Sequence, residues 1–321
     1  MANPPEVFPL SESPTADLEL ERLLIQATEF FRNGSSARPV RIAIQPPSPP
    51  EWSQAAIPLS QAAIHMSRIK ADLNERHNRW LAENDTAQLY GHVTQAWRIE
   101  RILDFTREIR GRILDLGCFD GFISEKVQQQ GGKEVIGVDR LEKGLERTAA
   151  RGIETRLVDL DDVALDFPDH HFDCVLAAGV LSNLYDPDAV VEETRRVLKP
   201  GGKLIATVPN LASLANRTLL LLGSPPYSLE VRPSEGGYWR YFTFGTLHKV
   251  LRDHGFQIKS MESNCVAYPL IYLSFSRWPV LRKLFAHKPP WKRHRLLFSR
   301  SLARMLPELG EQIVALAVRE A

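Results

Sequence analysis

The chain is poor in cysteine. Cys118, Cys174 and Cys265 are the only three, far apart and without a CxxC pair. This excludes a disulfide framework or a cysteine-built zinc site and suits a reducing compartment. No run of about 18 apolar residues occurs, so no transmembrane helix is expected. The opening MANPPEVFPLSESP is acidic and Pro-rich and lacks the basic-then-apolar order of a secretory signal, so the cytoplasm is the expected location. Net charge is nearly absent, with 40 basic residues against 39 acidic. The whole molecule is therefore no electrostatic trap for nucleic acid, no RNA-binding motif is present, and no nucleic-acid partner is expected. Repeats and low-complexity tracts are also missing.

What is present divides unevenly. Ten of the 22 prolines fall before residue 60, which sets the beginning of the chain apart. Leu20, Leu23, Leu24, Ala27 and Phe31 give a helical stripe after a Ser13-Pro14 start. Val40, Ile42 and Ile44 alternate as a short strand, and QPPSPPEW reads as a stiff extended linker. Helices are expected over Ser60 to about Glu83 and Ala87 to Ile109. Residues 1–85 are read as an N-terminal helical arm suited to packing or homo-oligomer formation, and residues 86–321 as the main domain.

From residue 112 strands and helices alternate. Apolar strands are expected at Arg112–Asp115, Glu134–Asp139, Glu154–Val158, Phe172–Ala178 and Lys203–Val208. Helices at Phe122–Gln130, Leu141–Ala150 and Ala189–Leu198 separate them. After an irregular insertion come a helix at Phe244–His254 and strands at Phe256–Glu262 and Gln312–Val318. This predicts an α/β fold, a Rossmann-like, seven-stranded, mostly parallel sheet with helices on both faces and the last strand antiparallel. Lid insertions are expected at about 211–242 and 265–305.

The chemistry converges on RILDLGCFDGFIS, residues 112–124: a buried strand, a glycine turn, then a helix start. Its glycines, Gly117 and Gly121, lie four apart, which is neither the GxGxxG of a dinucleotide fold nor the GxxxxGK[ST] of a phosphate loop. Asp139 ends the second strand, where a carboxylate can accept hydrogen bonds from both hydroxyls of a ribose. Asp159 or Asp161, after the third strand, can lie beside an adenine edge, and Asp159 is preferred. A cofactor with ribose and adenine, no phosphate, and an α-amino-acid end fits this pattern, namely S-adenosylmethionine.

These motifs stand in a familiar order. From about Tyr90 to Arg319 the chain resembles the class I S-adenosylmethionine-dependent methyltransferases. LDLGCFDG resembles the family's glycine motif, and GVD at 137–139 its ribose-binding acid. FPDHHFDCVLAAGVLSNLYDP resembles its fourth-strand region, RRVLKPGGKLIATVPN its fifth, and FTFGTLHKVLRDHGF its penultimate helix. The resemblance implies cofactor contacts from Asp115, Gly117, Cys118, Phe119, Gly121, Asp139, Arg140, Asp159, Leu160 and Ala178. Tyr90 and His92 fall where family members contact the methionine end.

Two departures stand out. Phe119 replaces the family's middle glycine, and Asn183 stands where a histidine is frequent. Asn is no general base at neutral pH. If a base is required, the candidates are Tyr185, Tyr241, His248 and His92, but placement of the nucleophile in line with the methyl group is the main catalytic demand.

The resemblance implies methyl transfer, read here as O-methylation of a small-molecule, sugar or lipid-linked acceptor. The alternative reading is a non-catalytic cofactor-binding or partner-binding module, prompted by Phe119 and the missing histidine. Residues 276–304 hold nine Lys or Arg and no acid, interleaved with Trp278, Phe285, Trp291 and leucines. Such a segment suits a solvated cap, an acidic acceptor or a peripheral contact with an anionic membrane.

Overall fold

A computed structural model describes residues 59–83, 86, 90, 93–162, 165–226, 238–267 and 298–320. The helix and strand expected before residue 45, His92, and most of the basic segment lie outside them. The compact unit that holds the sheet begins at Leu59.

Seven strands form the sheet: β1 (Gly111–Leu116), β2 (Lys133–Asp139), β3 (Glu154–Leu157), β4 (Phe172–Ala178), β5 (Leu198–Pro209), β6 (Phe256–Ser263) and β7 (Gln312–Arg319). Their order is β3-β2-β1-β4-β5-β7-β6. The first five neighbours pair in parallel, and β7 runs antiparallel to both β5 and β6. The strands expected from residue 112 onward are all found, β5 being longer because it begins already at Leu198.

Eight α-helices lie among the described residues: α1 (Leu59–Glu83), α2 (Val93–Thr106), α3 (Phe122–Gln128), α4 (Glu142–Ala150), α5 (Pro187–Val197), α6 (Leu214–Leu221), α7 (Phe244–Asp253) and α8 (Arg300–Met305). Side chains alternate across a strand, so a sheet buried on both faces needs apolar residues at nearly every central position. Leu114, Leu116, Ile136 and Val138 accordingly join one core with Val190, Val191 and Val197 of α5 and Leu247 and Leu251 of α7. Ile113, Val135, Cys174, Leu176 and Ile205 face the other way, against Ile99 and Ile102 of α2 and Ile123 and Val127 of α3. Local signals set the helix starts. Asp186 caps α5 by accepting from Ala189 N at 3.2 Å with Pro187 next in line, and Thr243 and Thr246 form a capping box on α7.

The structure departs from the sequence expectation in three places. Helix α1 packs on α4 and belongs to the sheet-bearing unit, so the arm boundary at residue 85 is drawn too late. The first insertion is not wholly irregular, because α6 lies within it, with Ser213 capping Asn216 N. The second is entered and left through a short antiparallel ladder, Val266–Ala267 with Phe298–Ser299. No helix among the described residues is long and apolar enough to cross a membrane. All three cysteines are buried and unpaired.

The strand order reverses between β1 and β4, β2 and β3 lying to one side and β5 to the other. In such sheets the crevice at the carboxyl ends of the strands flanking that reversal is where ligands bind. The residues of the glycine turn stand there.

Candidate active site

β1 delivers Asp115 to this crevice. The residue is 1% exposed, and Ser124 Oγ donates to its Oδ2 at 2.6 Å. Its Oδ1 is buried without a partner. Burial pushes the carboxyl up to about 7, and the Ser124 bond only partly opposes this. From α2, Arg98 reaches across the same strand ends. Its Nη1 lies 3.3 Å from Thr207 Oγ1 and 3.4 Å from the Ala178 carbonyl oxygen, while its Nε is buried and unpartnered. Asp115 and Arg98 feel each other's charge. The crevice therefore holds an unused anionic acceptor and an unused cationic donor. Sequence reasoning found the first and missed the second.

The turn after β1 wraps over this pair. Gly117, Phe119 and Gly121 take φ of 68°, 54° and 74°. Phe119 thus adopts the left-handed conformation that explains a glycine there, and the turn keeps its path despite the ring. Two bonds hold it: Phe119 N donates to Asp139 Oδ2 at 2.9 Å, and Thr148 Oγ1 donates to the Phe119 carbonyl at 3.1 Å. Cys118 tucks its Sγ under Gly137, where a Cβ would come within 2.8 Å of it. Burial raises its thiol pKa, so the group packs the turn rather than reacting. Asp139, at the tip of β2, uses its other oxygen to accept from Leu141 N at 2.9 Å. Each carboxylate oxygen offers two lone pairs, so both can take one further donor. Burial moves its pKa up, against the bonds from Phe119 and Leu141. Arg140 follows it, half-buried.

Asp120, fully buried, ties the chain before β1 to the turn. It accepts from Thr86 Oγ1 at 2.5 Å and Tyr90 Oη at 2.6 Å, with Arg151 Nη2 at 3.3 Å. The Tyr90 ring stacks on Phe122, centroids 4.2 Å apart. Tyr90 thus stands beside the turn with its hydroxyl committed to Asp120; burial and that carboxylate raise its pKa.

On the β2 and β3 side, α1 lies along the rim. Lys70 Nζ bridges Asp159 Oδ2 at 3.3 Å and Asp161 Oδ2 at 3.1 Å. Burial opposes the ammonium, but the two carboxylates outweigh it and hold its pKa above the ordinary value. Farther along, Asn78 Oδ1 accepts from Lys143 N at 3.3 Å, and the Leu81 carbonyl accepts from Arg147. Leu73 and Leu81 are buried beneath. Leu160 is buried in the short turn that Asp159 opens.

On the β4 and β5 side, residues 238–242 cross the strand ends. Trp239 N and Arg240 N donate to the Ser182 carbonyl at 2.8 and 3.1 Å, and Leu211 N donates to Phe242 O at 2.8 Å. Arg240 stacks over the Tyr185 ring at 5.0 Å. Tyr185 is exposed and its N–H bonds Asp161 at 2.7 Å, while Tyr241 is half-buried. Asn183 turns its amide to the Gly179 carbonyl at 3.2 Å. His248 is not gathered with these groups. It is exposed on α7, whose buried positions are Leu247 and Leu251.

Comparison with known proteins bears on the domain that carries this crevice. Residues 114–206 match a family model described as a methyltransferase domain. A ubiquinone biosynthesis O-methyltransferase from Pseudomonas syringae is 26% identical over 201 residues, spanning 58% of this chain and 80% of its own. A ubiquinone/menaquinone biosynthesis C-methyltransferase from Pseudomonas putida is 36% identical over 162 residues, 46% of this chain and 59% of that protein.

Residues 114–206 form a methyltransferase domain of the S-adenosylmethionine-dependent type.

A SAM-dependent methyltransferase from Thermotoga maritima shares the methyltransferase's fold, with TM-score 0.52 over 76% of this chain and 98% of the other at 17% identity. The methyltransferase is an enzyme and its cofactor is S-adenosylmethionine. The residues present fit that molecule. The unused Asp115 Oδ1 can accept from an ammonium, and the unused Arg98 Nε can donate to a carboxylate. These are the two ends of an α-amino acid.

Proposed function

We propose that this enzyme methylates a hydroxyl oxygen of a small-molecule acceptor, with sugar and lipid-linked molecules inside that class. The observation carrying the cofactor half of this reading is that buried Asp115 and half-buried Arg98 each hold a buried, unused polar atom, Asp115 one strand away from Asp139. Asp139 takes the ribose hydroxyls, its carboxylate already fixed by Phe119 N and Leu141 N. Asp159 and Leu160 take the adenine edge, with Lys70 closing that end. Support for oxygen as the acceptor atom comes from the relative overlapping over more of its length, an O-methyltransferase.

The bound cofactor supplies an electron-poor methyl group on a sulfonium sulfur. What the chain supplies is position. An oxygen lone pair must approach the methyl carbon in line with the breaking bond, and fixed placement can lower such a barrier by several kcal/mol, about 7–11 at the limit. The strip 238–242 and Tyr185 border the β4 and β5 side, from which the acceptor enters. The hydroxyl proton passes to solvent as the oxygen–carbon bond forms; Tyr241, half-buried on that strip, would receive it only as a phenolate, and His248 is exposed on α7.

Calorimetry with S-adenosylhomocysteine tests the cofactor half: binding that Asp139→Ala weakens at least tenfold is expected, and unchanged affinity in that variant would refute the ribose contact. Release of S-adenosylhomocysteine is then followed with hydroxylated ring, sugar and lipid-linked acceptors. Methyl transfer to carbon or nitrogen alone would overturn the oxygen assignment.

A further inference from the structure

Helix α1 lies along the cofactor side of the crevice, and its sequence shows which of its faces turns inward. Lys70, Leu73, Asn74, His77, Asn78 and Leu81 recur at spacings of three and four, which keeps their side chains on one face. Both ends of this stripe are tied down. Lys70 bridges Asp159 and Asp161 beyond β3, and Asn78 Oδ1 accepts from Lys143 N at the start of α4. Leu73 and Leu81 are buried. Between them, His77 lies close enough to Arg140 and Asp139 to feel their charges. The stripe therefore spans from the acids at the adenine end to the acid at the ribose end.

Asn74 stands in the middle of it, one turn from Lys70 and one turn from Asn78. Its Oδ1 is buried and has no hydrogen-bond partner among the described residues. A folded chain rarely leaves such an acceptor unmet, because it has lost its water and gained nothing in return. The neighbours on its own face do not meet it. Lys70 turns its ammonium to two carboxylates, Lys143 N is taken by Asn78, and Leu73 has no side-chain donor.

An adenine base supplies what is missing. Its exocyclic amine carries two N–H donors, and one carboxylate oxygen of Asp159 uses only one of them. The ribose hydroxyls are met at Asp139, whose two oxygens each keep a lone pair beyond the bonds from Phe119 N and Leu141 N. Of the donors on an adenosine, the second amine N–H is the one left over.

We infer that Asn74 is a cofactor-binding residue, its Oδ1 accepting from the adenine amine that it shares with Asp159. Helix α1 then reads the base as well as covering it. The inference rests on the cofactor site given above, with ribose at Asp139 and adenine at Asp159. The test pairs a change in the protein with a change in the ligand. Calorimetry on the full chain compares S-adenosylhomocysteine with S-inosylhomocysteine, in which a carbonyl oxygen replaces the amine. Leucine has nearly the shape of asparagine and no acceptor. Asn74→Leu should weaken S-adenosylhomocysteine about fivefold and leave S-inosylhomocysteine within about twofold of the parent. Asn74→Ala, which suits a helix and also lacks the acceptor, should lower the preference for the amine by a similar factor. Equal losses on both ligands would overturn the inference, since Asn74 would then only hold α1 in place. So would an affinity for S-adenosylhomocysteine equal to the parent's in both variants. Failure of the parent itself to bind S-adenosylhomocysteine would refute the cofactor site and the inference together, whereas parent binding with an unchanged preference in the variants refutes Asn74 alone.

Discussion

Replacing Asp115 by Asn should stabilise the protein at alkaline pH by about 2.5 kcal/mol more than it does at pH 5. The carboxyl is buried at the tip of β1 and ionises near 7 instead of at the usual 3.8. A carboxyl whose folded pKa lies above its unfolded value favours folding only while protonated. That advantage is complete below the unfolded pKa and is lost as pH rises through the folded one. Three units correspond to a penalty of about 4 kcal/mol on the ionised form, of which about 1.5 kcal/mol is already present at pH 5. Between pH 5 and pH 8 Asp115 alone should therefore remove about 2.5 kcal/mol of stability.

Asparagine has nearly the same shape, cannot ionise, and can still accept the 2.6 Å bond from Ser124. Urea denaturation of both proteins at several pH values isolates the term, because every other titrating group is common to the two. The difference between them should grow with pH by about 2.5 kcal/mol and level off above 8. Parallel curves across the whole range would refute the argument, since they would mean that Asp115 is solvated or held charged by Arg98. The same substitution should weaken S-adenosylhomocysteine binding above pH 7, where the parent offers a carboxylate to the ligand ammonium.

Other predictions follow from contacts around the crevice. Gly121→Ala puts a Cβ 2.7 Å from Thr148 Cγ2 and 2.9 Å from its Cα at φ 74°, and should cost about 3 kcal/mol or more in urea; Gly152→Ala, at φ 78° with nothing within 4 Å, should cost only about 1 kcal/mol, and equal losses would show that the clash is relaxed away. Lys70→Met removes the bridge to Asp159 and Asp161 and should speed S-adenosylhomocysteine release about fivefold, the worth of about 1 kcal/mol for a part-exposed pair; a stopped-flow rate equal to the parent's would mean that α1 does not close the adenine end. Arg98→Met should weaken S-adenosylhomocysteine, which has a carboxylate, at least tenfold but leave 5′-methylthioadenosine, which lacks the amino-acid end, within about twofold; equal losses for both ligands would make Arg98 merely structural.

The sheet was legible because parallel strands buried on both faces must be written as apolar runs, and because each run here ends in punctuation that a parallel strand requires. The acids at strand tips were legible for the same reason: Asp115 and Asp139 stand where a run stops. Arg98 was not. In the sequence it is one arginine among Arg101 and Arg107, which pair with Asp104, and only its place beside Ala178 of β4 and Thr207 of β5 separates it from them. Lys70 was hidden by distance, since its partner Asp159 lies 89 residues away and the proline-rich start invited an arm that ended too late. Helix α6 was hidden by its own leucines. Leu219 to Leu222 form an unbroken run, which carries no helical period, and of these only Leu219 is buried. The period was lost because three of the four leucines do not serve the core. Phe119 reverses the lesson, for its side chain broke the family's pattern while its backbone kept it. A left-handed φ of 54° on a residue with a Cβ costs about 1–2 kcal/mol, and the bonds to Asp139 and Thr148 hold it there. The departure that most suggested a lost cofactor site is thus held in place by the acid assigned to that site.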